Sequence, residues 1–378
     1  MSETASPAPK KGLEDIIAGE SSISFIDGRE GHLIYRGYNI HDLVDGSFEE
    51  TCYLLLNGPL PNQEQLAEFN EQLRAEMWLP REVMGQIMIL PDDMNGMEAL
   101  RTITSLLSAH DPDRDDNGRE ANYRKAIRLI AKTPLVVAYL HRLRTGGDLL
   151  KPKRDWSIAK NFLWMLLGTE PTDRHVKMFD TALILHADHE FNASTFTARV
   201  IAATLSDMHS AVVGAIGALK GPLHGGANEQ VMKMLLEIGD ENKADEWIHD
   251  ALATKKKIMG FGHRVYKTED PRATHLRKMS EEITAEKGQP QWYRMSRTIE
   301  GVVLSEKKLY PNVDFYSASM YYMMGIPISL FTPIFAMSRM SGWTAHIIEQ
   351  QSDNRLIRPA SDYIGQTGLT YTSIQNRN

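Results

Sequence analysis

Apolar and polar residues alternate in one short stretch of this chain and recur at helical spacing through most of the rest. In SSISFIDGREGHLIYRGYNI, Ile23 and Phe25 alternate with polar residues ahead of Asp27-Gly28, which predicts a small β hairpin. Helical patterns dominate from there. Ser47 precedes Glu50 at capping-box spacing, and the apolar run CYLLL that follows stops at Gly58-Pro59. After Asn62, the residues Leu66, Phe69 and Leu73 fall on one helical face. Helical periodicity returns near 95–109, 119–144 and 156–168, with turn clusters at 111–118 and 145–155. The run 176–206 reads as long and helical, and 211–219 is small and apolar. No convincing strand, internal repeat or low-complexity tract follows the first forty residues. The predicted fold is all-α with a short N-terminal β hairpin.

The length of 378 residues allows two or three domains, or one large body with a smaller one attached. Residues 225–310 are more charged than their surroundings, with glycine-rich joints at both ends of their helices, a shift that allows a second domain there without establishing one. The formal net charge of −7 argues against a general nucleic-acid binder, which would carry a basic face. The single cysteine, Cys52, excludes an internal disulfide and a cysteine-based zinc site, and fits a cytoplasmic, reducing compartment. The opening MSETASPAPKKG lacks an apolar core and reads as a disordered tail, not a secretory signal. Phe315 to Ser338 carries no charge, but Gly325, Pro327 and Pro333 break it, so a buried core segment is expected and no membrane span.

Candidate chemistry gathers in four blocks: ILHADHEFNAS with His186, Asp188, His189 and Glu190; GPLHGGANE with His224; IMGFGHRVYKTEDPR with His263 and Arg272; and LYPNVDFYSAS with Asp314. An isolated loop histidine is usually only a surface residue. Two of them, His224 and His263, stand among glycines that clear side-chain bulk, as loops approaching a ligand do. His186 and His189 would share a helix face, as metal ligands with Asp188 or Glu190, as packing residues, or as a donor to an anionic substrate. No HExxH pattern favours the metal. Lys255, Lys256 and Lys257 form a solvated helix face or a landing site for phosphates, the latter strengthened by Arg264 and Lys267. The lone GFG is weak evidence for a dinucleotide fold, and neither GxxxxGK[ST] nor GxSxG occurs. Arg339 and Arg358 sit in apolar surroundings, where a guanidinium serves either a salt bridge or a bidentate clamp on carboxylates.

Together the blocks GLEDIIAGESSISFIDG, LIYRGYNIHDL, FEETCYLLLNGPLP, HADHEFNAST, GPLHGGANE, MGFGHRVYKTEDPR, YPNVDFYS and those around Arg339 and Arg358 resemble the citrate synthase family, in family order from about Gly12 to Gly365. The block MMGIPISLFTPIFAMSRMSGWTAHIIEQQSDNRLIRPASDYIG is most similar to the 2-methylcitrate synthase branch. The resemblance implies a mostly helical homodimer. Its large domain would comprise 1–224 and 320–378, with 1–12 a tail, and 225–319 would form a smaller, mobile helical domain. It implies His224, His263 and Asp314 as catalytic residues. It gives His189, Arg272, Arg339 and Arg358 as oxaloacetate ligands, Arg358 reaching across the dimer interface, with Arg74 a further match on a helix that carries little motif. Lys257, Ile258, Met259, Gly260 and Phe261 match the coenzyme A-binding stretch. Propionyl-CoA or acetyl-CoA would be the second substrate, with no metal and no further cofactor. Two rival classes remain: a metal-dependent hydrolase using His186, His189 and Asp188, and a catalytically dead scaffold, which should have lost one of His224, His263 and Asp314. Within the enzyme class the rival is a dedicated citrate synthase.

Overall fold

The computed structural model describes residues 11–13 and 16–377; apart from Lys11 and Gly12, the tail expected at 1–12 lies outside the described residues. The chain opens with strands β1 (Ser24–Asp27), β2 (His32–Tyr35) and β3 (Tyr38–Asn39), an antiparallel sheet in that order. The register pairs Ser24 with Tyr35 and Ile34 with Asn39. The expected hairpin is present with a third strand added. Its facing differs from the expectation: Ser24 and Ile26 point inward while Phe25 is exposed. Ser24 is drawn in because its hydroxyl binds the buried Asp188 carboxylate.

Helices α1 (Ile40–Leu43), α2 (Phe48–Asn57), α3 (Gln63–Ala75), α4 (Arg81–Ile89), α5 (Gly96–Ala109), α6 (Arg119–Arg144) and α7 (Ile158–Leu167) follow. The Ser47–Glu50 capping box forms as the sequence predicts, and α2 ends at Gly58. The predicted run 176–206 is not continuous. It splits into α8 (Asp173–His186) and α9 (Ala193–Ala202), because Asn192 turns its side chain onto the Ser194 and Thr195 amides and starts a new helix. The break is the HADHEFN motif itself.

Then come α10 (Met208–Lys220), α11 (Ala227–Ile238), α12 (Ala244–Ala253), α13 (Pro271–Glu286), α14 (Gln291–Lys307), α15 (Val313–Met323) and α16 (Phe331–Ser352). Helix α16 is the axis of the core. It packs on α2, α5, α6, α8, α9 and α10, and Phe331, Ile334, Met337, Met340, Trp343 and Ile347 are fully buried along it. Gly342 lets α16 press on the α8–α9 break, since a Cβ there would meet the Ala187 carbonyl oxygen at 2.4 Å. Helices α11 to α15 pack on one another, α13 and α15 most extensively. The uncharged stretch 315–338 is divided between α15 and α16, and no helix among the described residues is long and apolar enough to cross a membrane.

Candidate active site

Four chain breaks open onto one cleft of about 860 Å³: the α8–α9 break, the loop before α11, the loop before α13, and the first turn of α15. Its walls include His189, His224, His263, Arg272, Asp314 and Arg339, together with the whole segment Lys257–Phe261.

The loops are tied to each other through the backbone. Gly262 donates to the Tyr310 carbonyl at 2.9 Å, and Asn312 N donates to that of Gly260 at 2.9 Å. Asn312 also caps α15 by accepting from the Asp314 amide at 3.0 Å, while its own amide group holds the Gly262 carbonyl at 3.0 Å. The His263 loop and the Asp314 turn are therefore one unit. Gly260, at φ 82°, allows this: a Cβ would lie 2.8 Å from Val231 and 2.9 Å from Phe315.

The hydrogen bonds fix which ring nitrogens carry protons. His263 Nδ1 accepts from the Val265 and Tyr266 amides at 3.0 and 3.3 Å, so its proton is on Nε2. His224 Nε2 accepts from the Ser194 amide at 3.2 Å, so its proton is on Nδ1. Burial first, with Arg339 adding to it, lowers the His224 pKa to about 4. Burial, then Arg272, lowers that of His263 to about 4. Both rings are neutral donors at neutral pH. Asp314 moves the other way: burial raises its pKa to about 6 against the pull of Arg272. His189 is pushed down by burial and by Arg272, and its Nε2 lies 3.2 Å from the Tyr266 hydroxyl.

The two cleft arginines are held differently. Arg272 is forked onto Asp270 at 2.9 and 2.7 Å; burial opposes its charge, but that carboxylate more than offsets the cost and its pKa rises. Asp270 also accepts from the Val313 amide at 3.3 Å, joining α13 to α15. Among the described residues Arg339 hydrogen-bonds only to the His186 carbonyl, at 2.7 Å from Nε, and burial lowers its pKa to about 10. Its remaining N–H groups are the ones available to an anion.

Several expected residues lie elsewhere. Arg74, on α3, pairs with Glu71 at 3.0 Å and lines a separate recess with Lys153 and Arg154, not the cleft. Arg358 is exposed in the segment after α16 and does not line the cleft of its own chain. Of the lysine run, Lys256 is paired with Glu237 at 2.8 Å, while Lys257 lines the cleft with Arg264. His186 is buried, bonded to the Ala182 carbonyl at 2.6 Å and stacked edge-on against Phe335. Asp188 turns to Ser24 and His346. The proposed metal set of His186, Asp188 and His189 is thus not assembled, and the described residues contain no group of three or more side chains arranged to hold a metal ion. Sequence reasoning missed Asp270, Tyr266 and Ser194. Only Asp270 carried a signal, as the residue before Pro271 that caps α13.

Residues 12–360 match the family model described as citrate synthase, C-terminal domain. The chain is 54% identical to citrate synthase 2 of Bacillus subtilis over 97% of this chain and 99% of that one. It is 43% identical to 2-methylcitrate synthase of Shewanella oneidensis over 97% of each. Its backbone superposes on the citrate synthase of Thermoplasma acidophilum, solved as a ternary complex with carboxymethyl coenzyme A and oxaloacetate, with a TM-score of 0.92 at 33% identity, covering 97% of this chain and 99% of that one. On sequence and backbone alike, over nearly its whole length, this chain belongs to the citrate synthase family.

Proposed function

We propose that the chain condenses propionyl-CoA or acetyl-CoA with oxaloacetate and hydrolyses the adduct to 2-methylcitrate or citrate plus free coenzyme A. The observation that carries this is the convergence of one carboxylate with a raised pKa and two neutral, tautomer-defined histidines on a single cleft. Asp314 takes the α-proton of the thioester. His224 donates from Nδ1 to the thioester oxygen as the enolate forms, which is what makes so weak a carbon acid reactive. His263 donates from Nε2 to the oxaloacetate ketone and then protonates the new alkoxide. Arg272, Arg339 and His189 hold the oxaloacetate carboxylates and carbonyl, so that orientation replaces a chance encounter. Lys257 to Phe261 receive the coenzyme A, and no step calls for a metal or redox group.

In this reading the chain is a cytoplasmic homodimer, and Arg358 completes the cleft of the second copy. Residues 225–319 form a smaller domain that closes over oxaloacetate to keep water out until hydrolysis. Support comes from the mutual packing of α11 to α15 and from the exposure of Arg358 in its own chain. The 320–365 block supports the 2-methylcitrate branch. The higher whole-chain identity to a Bacillus citrate synthase supports a dedicated citrate synthase instead. One methylene is worth only about 1–3 kcal/mol in an apolar pocket, so use of both acyl-CoAs is expected, with the lower KM for propionyl-CoA. Measuring kcat/KM for both at saturating oxaloacetate decides it. Strong turnover of acetyl-CoA with none of propionyl-CoA would leave a dedicated citrate synthase.

A further inference from the structure

Trp343 is completely buried on α16, one helical turn beyond Arg339 and on the same face. Its indole Nε1 lies 3.1 Å from the Ser194 hydroxyl. That hydroxyl lies 2.9 Å from His224 Nε2. An indole N–H only donates, so the serine oxygen must accept from it and send its single proton elsewhere. Two acceptors are in reach. One is Asn192 Oδ1 at 2.7 Å, which already caps α9 by accepting from the Ser194 and Thr195 amides at 3.1 Å each. The other is His224 Nε2, already marked as a lone pair by the Ser194 amide.

We propose that Trp343 is a positioning residue for the condensation: its N–H orients the Ser194 hydroxyl toward His224 Nε2 and so keeps the His224 proton on Nδ1, where the thioester oxygen needs it. The proposal rests on the reading of His224 as the thioester donor. Without the indole N–H, the hydroxyl is free to turn to Asn192 Oδ1, and only the Ser194 amide is left to hold the lone pair on Nε2 against the Nε2–H tautomer. That tautomer leaves a lone pair on Nδ1 facing the thioester oxygen. Arg339 and Trp343 share one helix face, so α16 serves both substrates: the guanidinium for oxaloacetate, the indole, through Ser194, for the acyl thioester.

Trp343→Phe keeps an apolar ring and removes the N–H. Losing one buried hydrogen bond corresponds to about a 5- to 20-fold fall in kcat with either acyl-CoA. The KM for oxaloacetate should stay within about twofold, because Arg339 is untouched. If the phenylalanine variant fails to fold, a benzothienylalanine at 343, isosteric with tryptophan but lacking the N–H, makes the same test. Ser194→Ala alone should lower kcat similarly, and adding the Trp343 change to it should cost nothing more. An unchanged kcat in the Trp343 variants, losses that add fully with Ser194→Ala, or an equal loss of oxaloacetate affinity would each overturn the proposal. A neutral His224→Asn would instead overturn the reading of His224 itself.

Discussion

Helix α16 and the segment that continues it are neighbours in sequence and opposites in packing. Along α16 nearly every apolar side chain is buried by its own chain. From 353 to 377 nearly every residue is exposed, including Leu356, Tyr363, Ile364, Leu369, Tyr371 and Ile374. Leaving such a side chain in water forgoes about 1.5–3 kcal/mol each. The two arginines divide the same way: Arg339 stands in the cleft of its own chain, and Arg358 stands outside it. On the proposed reading, one copy supplies the base, the two donors and two of the clamps, Arg272 and Arg339, and a second copy adds Arg358 to the grip on the dianion.

The largest effect should come from the half that one chain completes. Asp314→Asn preserves shape and removes the base, and turnover should fall by about 10²–10⁴, the span usual for general acid–base catalysis, with oxaloacetate binding retained. Steady-state kinetics and a binding titration read both; near-normal turnover would remove Asp314 from its role.

Next come the clamps. Arg339→Lys and Arg358→Lys keep charge but lose the planar fork, and each should weaken oxaloacetate by about 10- to 100-fold while sparing acyl-CoA. The comparison is sharpened by mixing. An Arg358 variant combined with a His224 variant should recover activity in hybrid dimers, whereas an Arg339 variant combined with the same His224 variant should not, since both residues stand in one cleft. Absence of rescue despite proven subunit exchange would place the whole site within one chain.

The smallest effect is the pH limb. With the Asp314 pKa raised to about 6, the active carboxylate is gained as pH rises through 6 and lost about tenfold per unit below it. The two histidines, at about 4, add no limb in that range. A kcat/KM profile for the acyl-CoA, the quantity that reports the free enzyme, that stays flat from pH 7 to pH 5 would contradict the assignment.

Much of this was legible in the chain itself. Glycine and proline mark the loops of His224 and His263, the Asn-capped turn of Asp314 stands in YPNVD, and the periodicities at 95–109 and 119–144 agree with α5 and α6 to within a residue at either end. Two of the unread parts depend on residues far apart in sequence, and a third, Arg74, on a local pair. Ser194 and Trp343 are 149 positions apart, and nothing local announces their bond. Phe25 faces out because Ser24 answers a carboxylate at Asp188. Arg74 lies on an ordinary amphipathic helix whose partner, Glu71, is local, and no spacing rule separates such a surface pair from a ligand.

Thiol release from acyl-CoA, measured with and without oxaloacetate, tests the central claim most directly. The account predicts release from both propionyl-CoA and acetyl-CoA that requires oxaloacetate and persists in chelator. Release that ignores oxaloacetate, or no release from either thioester by the folded protein, would contradict it.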